Sequence, residues 1–187
     1  MKRLMLALPL MLVAACGNEP DVKMENASVG EVAEEMRRQG GGDDAFINPG
    51  KWQQTVTLVK IDAPGRPPEA RQMMQRAMDQ AQVHEVCLTP EQAKSPKEDF
   101  FTGADQNCRY EHFNWGDGKI DLKLNCKHPN AQQTMAMVGN YEPDNYTMTM
   151  TMANQGAGPE EQMTMTMKVD AKRVGACDGD EKVQVGN

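Results

Sequence analysis

Two residue types carry most of the distinctive chemistry this chain offers: cysteine, present five times, and methionine, present 16 times. The cysteines divide by position. Cys16 closes a short apolar run at the N-terminus, whereas Cys87, Cys108, Cys126 and Cys177 are spread through the rest of the chain. An even number of cysteines in an exported chain reads as two disulfides. Zinc sites draw on tight pairs such as Cys-x-x-Cys, and no such pair occurs here, so a zinc centre is not expected.

The methionines concentrate in two alternating tracts. Tyr146 to Met152 reads Tyr-Thr-Met-Thr-Met-Thr-Met, and Met163 to Val169 reads Met-Thr-Met-Thr-Met-Lys-Val. A strict period of two is the signature of a β-strand, with Met148, Met150, Met152, Met163, Met165 and Met167 on one face and Thr on the other. Pairing Met152 with Met163 would align Met150 with Met165 and Met148 with Met167. Two chemistries suit such a face. It can be core, where flexible thioethers fill irregular space. It can also be a soft ligand set, since thioethers select Cu(I), the metal form an exported protein meets in the periplasm. An adaptable Met face lining a cavity for an apolar ligand lies between these readings.

No catalytic constellation accompanies them. Gly-x-Ser-x-Gly, His-Glu-x-x-His, a phosphate-binding glycine loop and EF-hand spacing are all missing from the sequence. His84, His112 and His128 stand apart from one another and from the Met tracts. Cys126-Lys127-His128 brings a thiol near an imidazole, but Cys126 belongs with the disulfide cysteines. The chain is therefore read as a non-enzyme without a cofactor. Its 27 acidic residues against 20 basic ones, a net charge of −7, argue against nucleic acid.

The N-terminus supplies an address. Lys2 and Arg3 precede the apolar stretch Leu4 to Ala14, far shorter than the roughly 20 residues a spanning helix needs. This reads as a secretory signal, residues 1–15. Val13-Ala14-Ala15-Cys16 resembles the bacterial lipoprotein signal. The resemblance implies that Cys16 is lipidated, becomes the new N-terminus and anchors the protein to a membrane. Several acyl chains at about 0.8 kcal/mol per methylene would hold it there. Gly17, in place of the Asp that resembles an inner-membrane retention signal, favours the periplasmic face of the outer membrane.

Residues 16–48 are polar and read as a tether, with room for a short helix from Glu31 to Gln39 stopped by Gly40-Gly41-Gly42 and only a thin apolar face at Val29, Val32 and Met36. From residue 49 the pattern changes. Trp52 to Ile61 alternates over Trp52, Gln54, Val56 and Leu58, then drifts: a strand. Glu69 to Gln82 gathers Met73, Met74, Ala77, Met78 and Ala81 on one helical face, with Pro68 at its start. Val83 to Leu88 is a second strand, and Thr89-Pro90-Glu91-Gln92 reads as an N-cap and a short turn of helix. Thr134 to Val138 continues the Thr and Met pattern.

Asp117-Gly118 is a type I′ hairpin dipeptide. A two-residue turn there pairs Trp115 with Ile120 and Phe113 with Leu122, and puts Leu124 and Cys126 on the same face. The register continues to Arg109 opposite Cys126, leaving Cys108 on the other face. That disfavours a Cys108–Cys126 bridge; of the three connectivities, Cys87–Cys108 with Cys126–Cys177 is the expectation, the first closing the intervening loop and the second tying the chain end to the sheet.

The order of features resembles the bacterial domain-of-unknown-function family 3617, small exported proteins with four cysteines. The resemblance rests on Gly50-Lys51-Trp52, Cys87-Leu88-Thr89-Pro90-Glu91, Cys108, Cys126 and Arg173-Val174-Gly175-Ala176-Cys177. It implies an exported β-rich domain and brings no activity, cofactor or catalytic residue. The expected architecture is mainly β (α+β), one curved antiparallel sheet of about six or seven strands over residues 49–178, with the 69–82 helix on its concave side. Residues 179–187 are expected to be a flexible tail. The expected function is a non-catalytic, lipid-anchored envelope module that binds an unidentified protein or small apolar ligand, with Cu(I) binding as the alternative.

Overall fold

The computed structural model describes residues 21–40, 46–78, 80–94, 106–179 and 182–183. The signal segment, Cys16 and most of the 179–187 stretch lie outside them.

The chain is a mainly β protein. The strands are β1 (Val22–Ser28), β2 (Gly50–Asp62), β3 (Gln82–Leu88), β4 (Cys108–Gly116), β5 (Lys119–His128), β6 (Ala131–Glu142), β7 (Asn145–Gly156), β8 (Met163–Gly175) and β9 (Lys182–Val183). Helices α1 (Val29–Gly40), α2 (Pro68–Met78) and α3 (Pro90–Lys94) complete the order, with one turn of 3₁₀ helix at Pro159–Glu161. All nine strands form one open sheet in the order β1-β4-β5-β6-β7-β8-β2-β3-β9. The first eight pair antiparallel, and the two-residue β9 lies parallel to β3. The sheet is thus larger than expected, the additions being β1 and β9.

Residues 22–40, read from the sequence as part of a tether, are built into the sheet and its cover. Ser28 caps α1: its backbone N–H donates to Glu31 Oε2 at 2.7 Å, and the Glu31 N–H donates to Ser28 Oγ at 3.2 Å. This reciprocal box satisfies two of the donors a helix start leaves unpaired. Ala27 before the cap and Val32 after it are both buried. The apolar face of α1 is narrow, but Val29, Val32 and Met36 are all buried in the larger core cluster. At about 1.5–3 kcal/mol for each fully buried side chain, three anchors hold a short helix.

The helix that covers the sheet is therefore α1 and not α2. Helix α2 lies between the end of β2 and the start of β3, and Met73 is 70% exposed. Its chain connections explain this. Only Ala63–Pro67 precede it, and β3 begins four residues after Met78. Those short links keep the helix at the sheet's end and prevent it from swinging over a face.

One face of the sheet carries the core. Phe113, Trp115, Ile120, Leu122 and Leu124 pack beneath α1 with Phe46 and Met36. A smaller cluster of Trp52, Val86, Leu88, Ala93 and Ala171 closes the corner under α3. Thr89 caps α3 as its sequence suggests, with Gln92 returning the bond to the Thr89 N–H at 2.9 Å.

Asp117 and Gly118 both adopt positive φ, 52° and 68°, as a type I′ turn requires. Trp115 pairs with Ile120 and Phe113 with Leu122 as expected, down to His112 opposite Lys123. There the register shifts by one residue, and Tyr110 faces Leu124. The extra residue, Glu111, is a β-bulge. It returns Cys108 to the position opposite Cys126. The disulfides are accordingly Cys108–Cys126, which an unbroken hairpin would disfavour, and Cys87–Cys177, in place of the expected Cys87–Cys108 and Cys126–Cys177.

Candidate functional site

Period-two alternation on β6, β7 and β8 places methionine on the core face and threonine on the other. The observed pairing is Met150 with Met167 and Met152 with Met165, while Met148 faces Val169 and Met163 faces Asn154. This is two residues from the expected alignment. A slip of two preserves the face of every side chain, so the six methionines stay together. The connection between the strands is shorter than expected, because β7 runs on to Gly156 and the 3₁₀ turn takes up the remaining residues.

The rows extend across neighbouring strands. Met135 pairs with Met152 and Met137 with Met150, while on the far side Leu58 faces Met167 and Ile61 faces Met165. Two parallel rows result, Leu124-Met135-Met152-Met165-Ile61 and Leu122-Met137-Met150-Met167-Leu58. In the next row Gly139 faces Met148. A Cβ at Gly139 would come within 2.3 Å of the Thr147 carbonyl oxygen, so only glycine fits there.

Cover over these rows is uneven. Leu122, Leu124, Met135, Met137 and Met148 are buried. Met150, Met152, Met163, Met165 and Met167 are half-buried, as are Leu58 and Ile61. The face is closed by α1 on one side and by the α3 corner at one end, leaving a quadrant on β7, β8 and β2 partly open. Its lining is mainly apolar or thioether, with Asn154 opposite Met163 at its edge. The reverse face is hydroxyl and charge: Thr151 and Thr166 lie 3.3 Å apart, and Thr147 donates to Asp170 at 3.0 Å.

A second feature was not apparent from the sequence. A polar cavity of about 600 Å³ lies beside the Cys108–Cys126 bridge, lined in part by Asn26, Arg109, Glu111, Asn125, Lys127 and Thr134. Its polar groups serve one another. Arg109 Nε donates to Asn26 Oδ1 at 2.8 Å, Asn125 Nδ2 to Glu111 Oε2 at 3.3 Å, and Thr134 Oγ1 to Asn125 Oδ1 at 3.0 Å. Lys123 lies 2.8 Å from Glu111. Hydrogen bonds from Lys123 and Asn125 hold the Glu111 carboxyl below the usual range. The bulge at Glu111 creates this network, and a bulge leaves little trace in a sequence.

The histidines are not brought together. His84 and His128 are exposed on separate strands, and His112 contacts Asp121 at 3.0 Å. Among the described residues, no group of three or more His, Cys, Asp or Glu is placed to hold a metal ion. Lys51 bridges Glu85 at 3.1 Å and Asp178 at 3.0 Å, which raises its pKa and ties β2 and β3 to the chain end beside Cys177. Burial pushes the Tyr110 and Tyr146 hydroxyls up to about 12, Tyr146 also accepting a 2.7 Å bond from Gln54.

These features define a small disulfide-bonded domain built on an open antiparallel sheet with a partly covered thioether face. The chain belongs to the family described as "Protein of unknown function (DUF3617)", whose model matches residues 47–177. The match begins after β1 and α1, so those two elements lie outside it although Val22, Ala27, Val29, Val32 and Met36 belong to the larger core cluster. No curated protein and no solved structure matches the chain.

Proposed function

We propose that this protein is a non-catalytic, lipid-anchored module of the cell envelope, facing the periplasm, whose binding surface is the open quadrant of the methionine face. The observation that carries the binding half is the contrast in cover. Elsewhere on this face α1 and α3 bury the core, whereas Met150, Met152, Met165 and Met167 are only half-buried. Unbranched thioethers adapt to varied partners better than β-branched side chains do. Two ligand classes suit such a surface, an apolar molecule and a soft cation such as Cu(I).

The anchoring half is supported by the charged start, the short apolar run and Ala14-Ala15-Cys16. The fold sharpens what that anchor would do. Because β1 begins at Val22, Gly17 to Asp21 are the whole spacer between a lipidated Cys16 and the sheet. Five residues reach at most about 18 Å. The domain would sit against the bilayer with the Asp117-Gly118 end nearest, and the outer membrane's periplasmic face remains the favoured leaflet.

Each half has its own test. Wild-type protein should partition with membranes and the Cys16→Ser variant should not; retention of the variant would remove the anchor. Titration with a small apolar probe such as benzene should shift the Met150, Met152, Met165 and Met167 methyl signals, and unmoved signals would remove the apolar form of the binding surface.

A further inference from the structure

We infer that four methionines, Met150, Met152, Met165 and Met167, form a Cu(I)-binding site on the open quadrant. This rests on the reading of that quadrant as the binding surface and names its ligand class. Met150 lies directly across the ladder from Met167, and Met152 from Met165. Directly opposed Cβ atoms on an antiparallel pair lie about 4.5–5.5 Å apart. Each thioether then has three rotatable bonds in which to turn its sulfur toward a common point above the sheet. Two such pairs, next to each other along the strands, supply four soft donors from one rigid ladder. Met148 and Met163 lack this arrangement, since they face Val169 and Asn154. The site is therefore four of the six alternating methionines.

Composition and position point the same way. Core positions on β5 are Ile120, Leu122 and Leu124, and those on β2 are Val56, Leu58 and Ile61. Besides Met24 on β1 and Met36 on α1, thioethers take aliphatic places on β6, β7 and β8. For packing alone this is a poor exchange. Burying Met costs more rotamer freedom than burying Ile or Leu, and strands favour β-branched residues. Of the replaced positions, Met135, Met137 and Met148 are sealed, while the two opposed pairs are only half-buried, Met150 and Met152 packing against the larger core cluster.

The surroundings set selectivity. Among the described residues, no group of three or more His, Cys, Asp or Glu is placed to hold a metal, at the quadrant or elsewhere. Hard and borderline cations therefore find no donor set, whereas thioethers favour Cu(I) and its redox-inert analogue Ag(I). The protein's net charge of −7 adds a general attraction for a cation.

The test is a titration of the full-length protein, labelled at its methionine methyl groups, with Ag(I) and separately with Zn(II). Ag(I) should shift the Met150, Met152, Met165 and Met167 signals together and leave exposed Met73 in place, and Zn(II) should shift none of them. The Ag(I) shifts should vanish in Met150→Leu/Met167→Leu, a change that conserves volume, and persist in Met148→Leu. No shift with Ag(I), shifts confined to Met73, or an equal response to Zn(II) would each overturn the site. Benzene separates this proposal from the surface reading beneath it. Quadrant shifts with benzene but not Ag(I) would overturn the metal site and keep the binding surface; shifts with neither would overturn both.

Discussion

Cys108 sits directly opposite Cys126, their Cα atoms 4.0 Å apart, because Glu111 adds one residue to β4 between the Asp117-Gly118 turn and the cysteine. The turn alone would put Arg109 there. A single bulged residue thus decides which cysteines pair across the whole domain, since the Cys108–Cys126 bond leaves Cys87 to join Cys177. Disulfide mapping of the protein should recover these two bonds and neither of the other two connectivities.

The two bridges should differ in weight. Cys108–Cys126 spans 18 residues and Cys87–Cys177 spans 90. On the chain-entropy account, loops of these lengths contribute about 3 and about 4.6 kcal/mol. Replacing each pair by Ala should lower the denaturant midpoint more for Cys87/Cys177 than for Cys108/Cys126. The reverse order would show that the hairpin bridge does more than close its loop.

Helix α1 should behave as a structural element of the domain. Ser28→Ala should cost about 1 kcal/mol through the lost cap, and Met36→Ala about 2–5 kcal/mol through a cavity under the helix. Met73→Ala on exposed α2 should stay within about 0.5 kcal/mol. Urea unfolding of the three variants checks the order, and a costly Met73→Ala would return α2 to the core.

What could be read from the sequence was the local part of this fold. Period-two alternation located β7 and β8, and Asp117-Gly118 located the hairpin. The drift in the Trp52 to Ile61 pattern marks the observed irregularity between Leu58 and Lys60. The cap of α1 was also written in Ser28-Val29-Gly30-Glu31, and only its thin apolar face disguised it. Long-range information was harder to read. A bulge changes register without a composition signal, and the length of a loop such as 153–162 does not say where pairing stops. Which helix covers the sheet depends on connection length, so the stronger Met periodicity of α2 lost to the better-placed α1. The four half-open methionines follow from the alternation, but which pairs face each other follows only from the register.

Alkaline pH should weaken the fold through its buried tyrosines. Tyr110 and Tyr146 are pushed up to about 12 by burial, so between pH 10 and 12 the unfolded chain loses these protons while the native one keeps them. Their contribution is intact below pH 10 and is lost as pH rises through 12, about 2–3 kcal/mol for each. Phenolate absorbance should report Tyr110 and Tyr146 titrating late, and Tyr110→Phe should flatten part of the stability loss. Titration of Tyr110 and Tyr146 near 10 in the folded protein would contradict this.

A five-residue spacer predicts a fixed orientation. A fluorophore on Lys119→Cys, beside the Asp117-Gly118 turn, should be quenched by membrane-bound spin labels more strongly than one on Asn130→Cys at the opposite end of β5. A flexible insertion before Val22 should erase the difference. Equal quenching in the original chain would mean that the domain does not rest on the bilayer by that end.

The central claim is that the open quadrant of the methionine face is where this protein binds its ligand, and its most direct test is oxidation in place. Brief peroxide treatment converts accessible Met to sulfoxide, and mass spectrometry can follow each position in intact cells and in purified protein stripped of ligand. Scaled to exposed Met73, the account predicts slower oxidation of Met150, Met152, Met165 and Met167 in cells than in the stripped protein. Equal rates in the two settings would contradict it.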